Sequence, residues 1–171
     1  MLRFLSILIL FSGILSQSLP THAQTASETP RVGESGQPLP RLISLAASKA
    51  FMRTGPGRQY PILWVYERTR LPLEVIDEHR AWRKVRDHEG TTGWMHVSLL
   101  SSRRTAMIIG TTRKLYEDPS PASPARLIAD AGVIGEVQAC DGIWCRLEID
   151  GTEGWIERRY LWGVYEREII D

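Results

Sequence analysis

The phrase Gly-Thr-Thr-Gly-Trp, residues 90–94, returns as Gly-Thr-Glu-Gly-Trp at 151–155. Each copy follows a further tryptophan, Trp82 in the first and Trp144 in the second. The match extends upstream, with Glu74-Val75 aligning with Glu136-Val137 and Val85 with Leu147. The offset is 62 residues before the glycine turn and 61 after it, so the turn drops one position. More loosely, FMRTGPGRQYPILWVY (51–66) aligns with KLYEDPSPASPARLIA (114–129). Such a period is too long for a solenoid unit and about the size of one small domain. The chain is therefore read as two copies of one small fold.

Each copy reads as β-structure. Apolar and β-branched residues come in short runs, LPLEVI (71–76), WRKVR (82–86), GWMHV (93–97) and TAMII (105–109), separated by Gly, Asp, Pro and Thr clusters. HEGTTG (88–93) and DGTEG (150–154) read as tight turns, and Asp141-Gly142 within CDGIWC as a hairpin tip. No stretch carries a helical apolar stripe of useful length. The expected fold class is all-β: two small β-barrels in tandem, an arrangement that removes the exposed sheet edges of small β-domains.

The chain ends divide off from this core. Met1-Leu2-Arg3, the uncharged run Phe4–Leu15 and the polar stretch up to Ala23 have the layout of a secretory signal peptide, residues 1–23. The run is too short to cross a bilayer, so no stable membrane insertion is expected after cleavage. Residues 24–40, QTASETPRVGESGQPLP, have no apolar periodicity and are expected to form a disordered linker. That leaves one barrel over 41–108 and a second over 109–171.

The stretch from Arg53 to Ile108 resembles a bacterial SH3 (SH3b-like) domain of the kind found in exported proteins of Gram-negative bacteria. The marks are Arg53 to Gly57 (RTGPG), Tyr60-Pro61, Trp82 and Gly93-Trp94. The second copy keeps Trp144, Gly154-Trp155 and the ending LWGVY, but replaces the opening by YEDPSP, Tyr116 to Pro121. The resemblance covers residues 41–166. It implies an SH3-like barrel pair that binds cell-wall peptides or steers an attached hydrolase, in the periplasm.

Catalytic chemistry finds little support. The only cysteines, Cys140 and Cys145, flank the hairpin tip Asp-Gly-Ile-Trp. An oxidising compartment and a five-residue spacing across a hairpin favour a disulfide over a metal pair or free thiols. The closed loop is short, so the bridge should contribute about 2 kcal/mol or less. His79, His88 and His96 lie on or beside expected turns in the first copy, away from both cysteines, and carry no metal-ligand spacing. Asp77, Glu78 and Glu89 are read as solvated turn charges. No P-loop, dinucleotide or nucleophile-elbow fingerprint occurs, so neither cofactor nor metal is expected.

Aromatic residues and charge suggest binding instead. Strand parity puts Trp82 with Lys84 on one face, and Trp144 with Arg146. Tyr60, Trp64 and Tyr66 fall in the segment that forms the peptide groove in the wider SH3-like class, although for Trp64 core packing is the favoured fate. From Arg41 to Ala106 twelve Lys or Arg stand against six Asp or Glu, a net of +6. From Met107 to Asp171 seven stand against twelve, a net of −5. The candidate ligand surface is therefore on the first copy: Arg53, Arg58, Tyr60, Trp64, Trp82 and Lys84. The competing role for Arg53 and Arg58 is to pair with the acidic second barrel. The expected function is a non-catalytic exported module binding peptidoglycan or a cell-wall peptide. The alternative is a regulatory subunit docked on an envelope enzyme or assembly. Nucleic acid is not an expected partner of an exported chain.

Overall fold

A computed structural model describes residues 31–171. The expected signal peptide and residues 24–30 lie outside the described residues.

Two antiparallel sheets account for nearly all of the described chain. A short N-terminal hairpin, β1 (Arg31–Val32) and β2 (Pro38–Leu39), leads into the first sheet. That sheet comprises β3 (Arg41–Leu45), β4 (Ala50–Arg53), β5 (Ile62–Tyr66), β6 (Pro72–His79), β7 (Trp82–Arg86), β8 (Thr92–His96) and β9 (Leu100–Ser101). Its spatial order is β5-β4-β8-β7-β6-β3-β9, with a single 3-10 turn, Val97–Leu99, before β9. The second sheet comprises β10 (Thr105–Ile108), β11 (Arg113–Tyr116), β12 (Ala125–Ala129), β13 (Ile134–Asp141), β14 (Trp144–Ile149), β15 (Thr152–Glu157) and β16 (Leu161–Trp162). Its order is β12-β11-β15-β14-β13-β10-β16, and β17 (Ile169–Ile170) adds to β13. Strand for strand the two orders are the same, so the sequence repeat is a repeat of topology.

The repeated Gly-Trp phrase has a steric cause. Gly93 lies beneath β4, where a Cβ would stand 2.4 Å from Met52 Cγ and 2.9 Å from the Arg53 carbonyl oxygen. Gly154 lies beneath β11, where a Cβ would stand 2.7 Å from Leu115 Cβ. Each glycine lets the crossing strand close over the core. The tryptophan beside it turns to the outer face, opposite Arg53 in one copy and Tyr116 in the other.

Each sheet wraps its own core. The first is built on Leu45, Met52, Leu73, Val75, Val85 and Met95, the second on Ile108, Leu115, Leu147, Ile156 and the bridged cysteines. Cys140 and Cys145 are a cross-strand pair joined by a disulfide, with Cα atoms 4.1 Å apart. Alternation is clean on β7, where Arg83 and Val85 point inward and Trp82, Lys84 and Arg86 outward.

Two boundaries differ from the sequence reading. Residues 105–108 were expected to close the first barrel, but β10 pairs with β13 and β16 of the second sheet. It is buried on both faces: Ala106 and Ile108 join the second core, Met107 packs into the first, and Thr105 Oγ1 donates to the Arg70 carbonyl at 2.7 Å. β10 is therefore a wall common to both barrels. Tyr165, whose hydroxyl donates to Glu74 at 3.0 Å, ties them together again at the C-terminal end.

The expected disordered linker does not hold for residues 31–40. Leu39 is fully buried in the first core. Glu78, expected to be solvated, is buried with its carboxylate under the hairpin. It accepts from the Ser35 amide at 2.7 Å, the Ser35 hydroxyl at 2.8 Å and Arg41 at 2.6 Å, and it lies 3.1 Å from Arg83 Nε. Gly33 passes so close that a Cβ would meet Glu78 Oε2. One apolar anchor and one buried carboxylate order a segment whose average composition reads as linker.

Candidate ligand groove

Cross-strand register assembles the outer face of the first sheet in two rows. In one row His79, Trp82 and His96 stand side by side on β6, β7 and β8. In the next, Asp77, Lys84, Trp94 and Arg53 continue from β6 to β4. The rings of Trp82 and His96 meet edge to face at 5.3 Å. His96 Nδ1 accepts from the Ser98 amide at 3.3 Å and so caps the 3-10 turn. With Nδ1 used as the acceptor, the neutral imidazole carries its proton on Nε2.

The β4–β5 loop, residues 54–61, forms the facing wall. Arg53 donates to the Tyr60 carbonyl at 2.8 Å across the base of the loop, and the Thr54 amide donates to Pro61 at 3.0 Å. The Tyr60 ring covers Gly55 so closely that a Cβ there would stand 2.5 Å from Tyr60 Cδ1. Arg58, in this loop, lines the same space as Trp82. Between loop and sheet lie two adjoining cavities of about 320 and 470 Å³. They have Arg58, Trp82 and His96 in common and so form one groove; Phe51, Arg53, Ser98 and Leu99 line one end, and Pro56, His79 and Arg80 the other.

Of the six residues expected at the site, Arg53, Arg58 and Trp82 line this groove. Lys84 lies one row along on the same face. Tyr60 shapes the loop, through its ring and its carbonyl, rather than lining the cavity. Trp64 is neither in the groove nor in the core; it stands exposed on the edge strand β5. The sequence reading missed His96, taken for a turn residue. Parity with Trp94 puts it on the outer face, but only the β7–β8 register brings it against Trp82.

The charges of the groove are open. Among the described residues Arg58 and Lys84 have no ion-pair or hydrogen-bonding partner, and the Arg53 guanidinium meets only a carbonyl. Elsewhere in the first barrel Arg41 and Arg83 are neutralised by Glu78 and Arg86 by Glu74 at 2.6 Å, while Arg68 donates to the Gly132 carbonyl. The acidic second barrel engages Arg70, Arg103 and Arg104, through Glu136 and Glu168, and not Arg53 or Arg58. A further cavity of about 430 Å³ opens by the N-terminal hairpin, but its arginines, Arg41 and Arg83, are both held by Glu78.

The second barrel rebuilds the same face with different chemistry. Tyr116 takes the place of Arg53 and Glu157 that of His96. On that face Arg146 lies over the Trp155 ring and 3.5 Å from Glu153, and Arg159 is 2.8 Å from Glu157. Among the described residues no three His, Cys, Asp or Glu side chains cluster as a metal site requires, and no helix is long and apolar enough to cross a membrane.

A family model for the bacterial SH3 domain matches residues 46–102 and again residues 110–163. The chain belongs to the bacterial SH3 domain family, with two domains in tandem. Such domains are typically extracytoplasmic, and the Cys140–Cys145 bridge fits an oxidising compartment. Similar solved structures include NlpC2 from Trichomonas vaginalis, 14% identical over 72% of this chain and 48% of that one, with a TM-score of 0.33. NlpC1 from the same organism is 14% identical over 77% and 48%, with a TM-score of 0.34. An NlpC/P60 family protein from Bacillus cereus is 15% identical over 70% and 55%, with a TM-score of 0.32. The chain spans about half the length of these structures, and likenesses of this size carry no argument about activity. No curated protein matches the chain.

Proposed function

We propose that the chain is a non-catalytic periplasmic binding module whose first barrel holds an anionic peptide or glycan of the cell wall. The observation that carries this reading is the set of open cations, Arg53, Arg58 and Lys84, around Trp82, Trp94 and His96. An arginine fork recognises carboxylates through paired donors, and indole faces supply contact area at little entropic cost. The second barrel, with Tyr116 where the first has Arg53 and with Arg146 held by Glu153, serves as a brace: it fixes β10 and with it the first core.

The test is co-sedimentation with purified peptidoglycan sacculi. Wild type is expected to pellet, more weakly at high salt, and Arg58→Ala/Lys84→Ala to bind at least about tenfold more weakly, since each lost charged hydrogen bond is worth about 1.5 kcal/mol or more. Wild type remaining in the supernatant sinks the reading, and docking on an envelope enzyme or assembly then takes its place. Equal binding by wild type and variant moves the site off this face.

A further inference from the structure

The outermost strand of the first sheet, β5, is hydrogen-bonded to β4 along one edge and, among the described residues, to no strand along the other. Its exposure is unusual for its composition: Ile62 is 48%, Leu63 47%, Trp64 55% and Val65 40% accessible. Phe51, opposite Val65 on β4, and Tyr60, in the loop before β5, are 36% and 39% accessible. Edge strands are commonly guarded by a charge within the strand, but no charged residue stands between Tyr60 and Tyr66. The corresponding strand of the second barrel is guarded: β12 carries Arg126, paired with Glu117 at 3.1 Å, between alanines at both ends.

We propose that β5 is the seat of a second copy of this chain, the two β5 strands pairing antiparallel about a two-fold axis. The uncharged strand is self-complementary, so such pairing sets apolar residues against apolar residues with no like charges opposed inside it. The exposed side chains amount to roughly 500 Å² per chain, hence about 1,000 Å² for the pair, the lower end of what specific complexes bury. The other arrangement is head to tail, β5 of one copy on β12 of the next, where the net charges of +6 and −5 attract. On β12, however, Ile128, 65% accessible, is the one exposed large apolar side chain, and Arg126 interrupts the strand. The apolar area therefore favours the two-fold. Two-fold pairing brings basic barrel near basic barrel, so added salt strengthens it by screening; salt weakens a head-to-tail contact. The β4–β5 loop is a wall of the groove, so a dimer would present two grooves to one polymer. That consequence rests on the proposed function, but the pairing does not.

Sedimentation equilibrium of the chain without signal peptide, with no wall material present, decides it. Expected are a monomer–dimer equilibrium that tightens with salt, an association at least about tenfold weaker in both Trp64→Lys and Leu63→Lys, and no change in Ile128→Lys. Two exposed-site variants are used so that misfolding of one, read by circular dichroism, leaves the other to decide. A monomer at every concentration, or a dimer surviving both substitutions, overturns the proposal. So does an association that salt weakens and Ile128→Lys abolishes, which would establish the head-to-tail contact. Because the proposed function is read on sacculi, either idea can fail without the other.

Discussion

Glu78→Gln tests whether the N-terminal hairpin is part of the fold. The wild-type carboxylate is 1% exposed and faces two arginines, whose side chains are 19% and 10% exposed, and both donors of Ser35. Glutamine keeps the shape but removes the charge and turns an NH2 group toward a donor. Arg41 and Arg83 are then left largely buried without a counter-charge. Breaking a buried pair in this way costs about 3 kcal/mol, and for a chain of this size that is a fall of about 10 °C in melting temperature. Residues 31–39 should also lose protection, read as faster amide exchange and proteolysis there. The pH dependence has a definite sign. Burial alone raises the Glu78 pKa, but the Ser35 amide, Arg41 and the Ser35 hydroxyl outweigh it and hold the group below the ordinary glutamate value of 4.5. A depressed folded-state value contributes stability above the unfolded-state value, and that stability is lost as pH falls through the folded one. Glu168, which burial raises but Arg104 and the Tyr165 amide lower further, acts in the same direction. Wild type should lose stability as pH drops below about 4.5, and Glu78→Gln should show a shallower loss. A melting temperature within about 2 °C of wild type at neutral pH, with unchanged protection of 31–39, would refute the reasoning.

Gly93→Ala and Gly154→Ala should each cost about 2 kcal/mol in denaturant unfolding, because the new methyl meets Met52 or Leu115 closer than 3 Å. Gly151→Ala meets nothing within 4 Å but sits at φ +80°, and should cost only about 1 kcal/mol. Equal costs at all three positions would remove the steric account of the Gly-Trp repeat. Cys140→Ser/Cys145→Ser should lower stability by about 2 kcal/mol, the entropy of a five-residue closure, while groove binding stays unchanged.

What was legible in the sequence was whatever depends on period and parity. The Gly-Trp repeat gives the two copies, and alternation in WRKVR gives the inner and outer faces of β7. What escaped depends on partners distant in the chain. The stretch TAMII reads as the apolar end of the first copy because β10 is buried on both faces, and only its pairing assigns it to the second sheet. Residues 31–40 read as linker because composition averages over Leu39, whose burial alone anchors the segment, and because the carboxylate that Ser35 grips lies 43 residues away. Trp64 reads as a groove or core residue, yet it sits on a strand at the end of a sheet, where nothing covers it. The groove was half legible: a loop glycine, a tryptophan and arginines mark it, but His96 enters through register.

The most direct measurement is a titration of nitrogen-labelled protein with soluble muropeptides bearing free carboxylates, following the six indole N–H resonances. The account predicts that Trp82 and Trp94 shift in a saturable way while Trp144 and Trp155 stay in place, and that Arg58→Ala moves the response to markedly higher muropeptide concentration. Unmoved indoles at saturating muropeptide, or shifts that begin at Trp144 and Trp155, would contradict it.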